Sequence, residues 1–113
     1  MSDDLSVAGV TDAVLVALSA RDIQSFVRCY ADDARIEDGD GVVLVAGRDA
    51  IHARYELMFA QFPSLSVRKL AGFAVGSYVV QEEEVAGRTP QPERHIAIYR
   101  ISDGLITHER LLK

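Results

Sequence analysis

The sequence is short of cysteine, of basic residues and of long apolar runs, and each shortage excludes something. A single cysteine, Cys29, cannot close an intrachain disulfide or build a cysteine-based zinc site. No apolar run approaches the roughly 18 residues that a membrane span requires. The chain begins "MSDDLSVAGV", acidic where a secretory signal would be basic, so no export signal is read and a cytoplasmic protein is expected. Its 12 Lys and Arg against 17 Asp and Glu leave a formal charge of −5. The cations are scattered, so no nucleic-acid surface is expected. What remains is ordinary for a globular protein: 113 residues, 49% hydrophobic and 26% charged, enough for one core and one domain over 1–113.

Apolar residues at Val7, Val10, Val14, Ala17 and Leu18 recur at helical spacing, and Ser2 with Asp3 and Asp4 suits a helix start. Asp22 can cap a second, shorter helix with Ile23, Phe26, Val27 and Tyr30 on one face. The period then changes. "ARIED" and "VVLVA", separated by "GDG", read as two short strands of a hairpin. Gly47 opens a third helix with the stripe Ile51, Tyr55, Met58, Phe59 and Phe62, and Pro63 marks its end. Four long strands complete the chain: Ser66 to Val75, Ser77 to Ala86, Arg94 to Ser102 and Leu105 to Leu111. Gly76 and "SDG" (Ser102 to Gly104) supply tight turns, and "GRTPQP" (Gly87 to Pro92) a longer one. No repeat or linker interrupts this α+β order.

That layout, with "ARDIQSFVRCYADDARIED", "GRDAIHARY" and "IAIYRISDGLI" in this order, resembles the NTF2-like superfamily, and within it the SnoaL-like and ketosteroid isomerase-like branch. The resemblance covers about Val10 to Leu111. It implies a cone-shaped α+β barrel, three N-terminal helices packed on a strongly curved, mainly antiparallel sheet around a deep apolar pocket. It also implies a homodimer through the outer sheet face. Ketosteroid isomerase works with an aspartate base and an oxyanion hole made by a tyrosine and a protonated aspartate. The resemblance puts that base at Asp38. The two oxyanion positions fall on Val14 and Ala97, which cannot donate. Losing one such donor typically costs roughly 2.7–4 kcal/mol of transition-state stabilisation, so steroid isomerisation by the usual apparatus is not expected. Tyr30 and Tyr55 match supporting tyrosines of that pocket, or serve as core aromatics.

Strand alternation extends the candidate site. If Ala97 faces the pocket, His95 and Tyr99 share its face. By the same family resemblance, the preceding strand would present Val79, Gln81, Glu83 and Val85 to the pocket, and the last strand Thr107, Glu109 and Leu111. Pairing across the 87–92 turn brings His95 near Gln81 or Glu83. A carboxylate beside an imidazole in a dry site supports proton transfer. The expected catalytic residues are therefore Asp38 as base with His95 or Tyr99 as proton donor. The expected ligand-binding residues are Val14, Tyr30, Tyr55, Phe59, Gln81, Glu83, Ala97 and Glu109.

Several alternatives stay open. Asp38-Gly39 is also an ordinary turn pair, His95 can be a satisfied structural histidine, and the "EEE" run at Glu82 to Glu84 can be solvated. Asp32 and Asp33 solvate or cap a turn, and "DGDG" lacks the spacing of a calcium loop. No zinc spacing joins His52, His95 and His108, and Cys29 packs. No metal or cofactor is called for.

The opposite sheet face would carry Tyr78, Val80, Ile96, Ile98 and Ile106, more apolar surface than a monomer exposes. A second copy would cover it. Three functions fit: acid–base chemistry on a small apolar or cyclic molecule, ligand binding or interaction without chemistry, and water activation between carboxylates of the epoxide-hydrolase kind.

Overall fold

The computed structural model describes residues 6–113. Its elements follow the order α1 (Val7–Ser19), α2 (Ile23–Val27), β1 (Tyr30–Asp38), β2 (Val43–Ala46), α3 (Arg48–Gln61), β3 (Ser66–Val75), β4 (Tyr78–Ala86), β5 (Glu93–Ser102) and β6 (Leu105–Leu112). The expected helix start at Ser2 to Asp4 lies outside the described residues. Helix α1 is capped by Ser6, whose side chain accepts from the Gly9 amide at 3.1 Å. Asp22 caps α2 in the same way through the Ser25 amide.

The six strands form one open sheet in the order β2-β1-β6-β5-β4-β3. This corrects the expected cone-shaped barrel: the sheet is neither closed nor strongly curled. Closing it would require β2 and β3 to pair, and they stand at opposite edges. With only four residues, β2 is also too short to carry a closing seam. The sheet is mixed, because β1 runs parallel to β6 while every other pair is antiparallel. One face is roofed by the helices: α1 packs on β3, β4 and β5, and α3 on β1 and β2. A hollow forms between that roof and the sheet.

Two local departures matter for the site. Tyr30, spaced like a member of α2's apolar face, instead opens β1, since α2 ends at Val27. Ile106, expected on the outer face with Tyr78, Val80, Ile96 and Ile98, is fully buried. A bulge moves the β5–β6 register from Arg100↔His108 to Ile101↔Ile106, so alternation flips at Thr107. The rest of the inner face follows the alternation: Val79, Gln81, Glu83 and Val85 on β4, and Ala97 and Tyr99 on β5, are all buried.

The turn after α1 is held by one residue. Arg21, at φ 61°, sends its guanidinium to the carbonyls of Phe59, Phe62 and Leu65, which lie at and beyond the C-terminal end of α3. It also sits 5.0 Å from the centre of the Phe59 ring. That ties the α1–α2 turn to the end of α3 and fixes the roof over the sheet.

Candidate functional site

The hollow is a cavity of about 660 Å³, within the size range of small-molecule sites. Its apolar wall includes Val14, Leu15 and Leu18 from α1, Phe26 from α2, Met58 from α3 and Val85 from β4. Phe26 packs between Tyr30 and Tyr55, at ring-centre distances of 5.3 and 4.6 Å. Against this wall stand two buried carboxylates, Glu83 and Glu109, only 2% and 4% exposed.

Glu83 is the centre of a network. Register pairs it with His95 across β4 and β5, and the His95 Nε2 lies 2.9 Å from its Oε1. Its Oε2 accepts from the Tyr99 hydroxyl at 2.6 Å and from the Gln81 amide at 2.7 Å. Because a carboxylate can only accept, Nε2 carries the ring proton of neutral His95 and Nδ1 keeps a lone pair. Tyr99 is committed to Glu83, and burial raises its phenol well above its ordinary range, helped by the charges of Glu109 and Glu83.

Glu109 stands apart from that network. It lies on β6 opposite Tyr99, and its Oε1 accepts from the Tyr30 hydroxyl at 2.5 Å. Burial pushes its carboxyl up to about 8; the Tyr30 hydrogen bond opposes the rise and the nearby Glu83 charge adds to it. At neutral pH Glu109 is therefore mostly a carboxylic acid, able to donate. Tyr55 shares the cavity, its phenol raised by burial and by the Glu109 charge.

The placement of the expected residues divides. Val14, Tyr30, Asp38, Tyr55, Glu83, His95, Tyr99 and Glu109 line the cavity, whereas Phe59, Gln81 and Ala97 do not. Phe59 is turned towards Arg21. Ala97 lies fully buried beneath the lining, and Gln81 is buried behind Glu83. Asp38 is half-buried at the β1–β2 turn, where its Oδ1 accepts from the amides of Asp40 and Val42, both at 2.9 Å. That is an Asx turn, the bland role its Gly39 neighbour suggested. The charged residues Arg54, Arg88 and Lys113 were not singled out in the sequence and also border the cavity. Arg88 is held by a two-bond pair with Glu93 at 2.9 and 3.0 Å.

Among the described residues no group of three or more His, Cys, Asp or Glu is arranged to hold a metal ion. None of the helices there is long and apolar enough to cross a membrane.

The SnoaL-like domain profile matches residues 11–109. A protein of cystatin fold from Novosphingobium aromaticivorans, itself uncharacterised, superposes with a TM-score of 0.87 at 22% identity, over 96% of this chain and 98% of its own. A provisionally assigned polyketide cyclase from Sinorhizobium meliloti gives 0.79 at 23%, over 90% and 92%. A provisionally assigned ketosteroid isomerase from Kribbella flavida gives 0.80 at 14%, over 94% and 76%. No curated protein matches the sequence. At these identities the structures speak for the fold, and the profile match for the family: the chain belongs to the SnoaL-like domain family, in the NTF2-like superfamily that includes the ketosteroid isomerase-like proteins.

Proposed function

We propose that the protein binds a small, mostly apolar molecule bearing a carbonyl group and moves a proton on it without a cofactor. The observation that carries this reading is the pairing, in one cavity, of a buried carboxylic acid with a carboxylate-oriented imidazole. His95, oriented by Glu83, takes a proton from the carbon beside the carbonyl through Nδ1. The electrons of that C–H bond move towards the carbonyl oxygen, which Glu109 meets with its own O–H. His95 then returns the proton to a carbon of the same molecule, and Glu109 keeps its own. A donor aimed at developing negative charge in an apolar, water-poor site is the arrangement that makes such a step fast. Glu109 would thus supply what Val14 and Ala97 cannot, from the neighbouring strand.

Asp38, first expected as the base, remains the rival base, with Oδ2 outside the Asx turn. Tyr99 is a poorer donor than expected, since its hydroxyl is spent on Glu83. Ligand binding without chemistry is the second reading, favoured by the same saturation of Glu83 by three protein donors.

Incorporation of solvent deuterium beside the carbonyl of cyclic ketones and enones separates these readings. The proposal predicts exchange by the wild type, lost at least about 100-fold in His95→Asn, the range typical of general acid–base groups, and in Glu109→Leu, which offers the carbonyl oxygen no donor. Loss in Asp38→Asn with His95→Asn unaffected moves the base to Asp38. Tight binding with no exchange leaves the binding reading alone.

A second copy of the chain is proposed on the outer sheet face. Tyr78 and Ile96 are exposed there beside half-buried Val80 and Ile98. An Ile96→Lys variant sedimenting as monomer, against a dimeric wild type, would support this; a monomeric wild type would end it.

A further inference from the structure

Gln81 does not touch the cavity, yet it is 1% exposed on the inner face of β4, two residues before Glu83. Its side-chain nitrogen donates to Glu83 Oε2 at 2.7 Å, while its own carbonyl oxygen is buried with no hydrogen-bond partner among the described residues. That orientation is the only sensible one, because a flipped amide would set its oxygen against a carboxylate. An orphaned buried acceptor destabilises a fold, and a leucine or methionine of similar size would carry no such cost. The amide is therefore poorly explained by packing.

The neighbours point the same way. Register places Gly72 of β3 on one side of Gln81 and Ala97 of β5 on the other. A Cβ on Gly72 would lie 2.8 Å from the Gln81 Cβ and 2.8 Å from the Val80 carbonyl oxygen, contacts that a side chain cannot make. The small neighbours let β3 and β5 lie close on either side of position 81, whose side chain reaches along β4 to Glu83. With Gln81 and Tyr99 both donating to Oε2, that oxygen is filled, and Oε1 is the one left to receive His95.

We infer that Gln81 is a positioning residue: cradled between Gly72 and Ala97, its amide fixes the rotation of the Glu83 carboxylate and so selects which ring nitrogen of His95 keeps its lone pair. The role concerns the geometry of the pair and holds whether or not the cavity performs chemistry. With Gln81 gone, Oε2 has only the Tyr99 hydroxyl, the carboxylate gains rotational freedom, and His95 is no longer held as one tautomer.

Long-range nitrogen–proton NMR of ¹⁵N-histidine-labelled protein, taken above the range where histidine is charged, reads the tautomer directly. The wild type is expected to show His95 almost wholly as the Nε2–H form. In Gln81→Leu and Gln81→Met the Nδ1–H form should rise at least about threefold. An unchanged tautomer ratio in either folded variant overturns the inference, whatever its melting temperature. Should neither variant fold, the wild type decides. A Gln81 side-chain proton shifted well downfield of those of the exposed Gln24, Gln61 and Gln91 fits donation to a carboxylate, and one within their range overturns it. Failure of the deuterium-exchange experiment with the tautomer result intact would discard the proposed chemistry and leave this role standing.

Discussion

Replacing Glu109 by glutamine should make the protein more stable at high pH, against the usual rule that altering a buried, hydrogen-bonded group is costly. In the folded chain burial holds this carboxyl at about 8, against 4.5 when it is free. Between these values the folded state binds a proton that the unfolded state has released, so stability falls as pH rises through the window. At ~1.4 kcal/mol per pH unit, the whole interval sets a ceiling of about 5 kcal/mol, lost progressively from pH 4.5 to 8 and level above. Glutamine is close in shape, keeps an oxygen to accept from Tyr30, and offers an amide where the acid offered its proton. It does not titrate. Urea unfolding from pH 5 to 9 at fixed protein concentration should therefore give matching curves near pH 5 that separate steadily, with the variant ahead by several kcal/mol at pH 9. Asp22 and Glu93 act in the opposite sense, their carboxyls lowered chiefly by side-chain hydrogen bonds from Ser25 and Arg88, so their contributions fade only as the solution turns acidic. They are common to both proteins and cancel in the difference. Wild type and variant running parallel across the range would refute the reasoning.

Two other substitutions test the frame around the cavity. Gly87 has φ 88°, and a Cβ there would lie 2.1 Å from the Ser64 carbonyl oxygen, so Gly87→Ala should cost at least about 2 kcal/mol in denaturant unfolding and displace the loop carrying Arg88. Arg21→Lys should cost nearly as much as Arg21→Ala, about 2–3 kcal/mol by the same measurement, because one ammonium cannot serve three carbonyls as the planar guanidinium does.

Much of this architecture was legible because the sheet has one roofed face and one open face, which writes a clean alternation into β4 and β5. The family resemblance put Gln81 and Glu83 on the inner face, pairing across the 87–92 turn narrowed the neighbour of His95 to one of these two, and the register picks Glu83. Features created by distant pairing were not legible. The parallel pairing of β1 with β6 has no local signature, and it is what brings the strand carrying Tyr30 beside the strand carrying Glu109. Tyr30 itself was masked by chance spacing from Ile23, Phe26 and Val27, which continued α2 on paper past its end at Val27. The Thr107 bulge inverted the face of Ile106, and one inserted residue does not disturb an apolar pattern enough to be seen. The barrel came from resemblance rather than from any residue, and whether edge strands meet is not written in local periodicity. The weight of the site moved accordingly. Asp38 matched by position but is half engaged by its own turn, while Glu109, one of several inward candidates, is a carboxyl that burial raises to about 8.

Carbon-13 NMR of the Glu109 carboxyl, followed against pH in the ligand-free protein, tests most directly whether the cavity holds a working acid. The midpoint should fall near 8, leaving the group mostly protonated at neutral pH. A midpoint close to 4.5 would mean an ionised carboxylate there, and with it the proposed proton transfer would lose its donor.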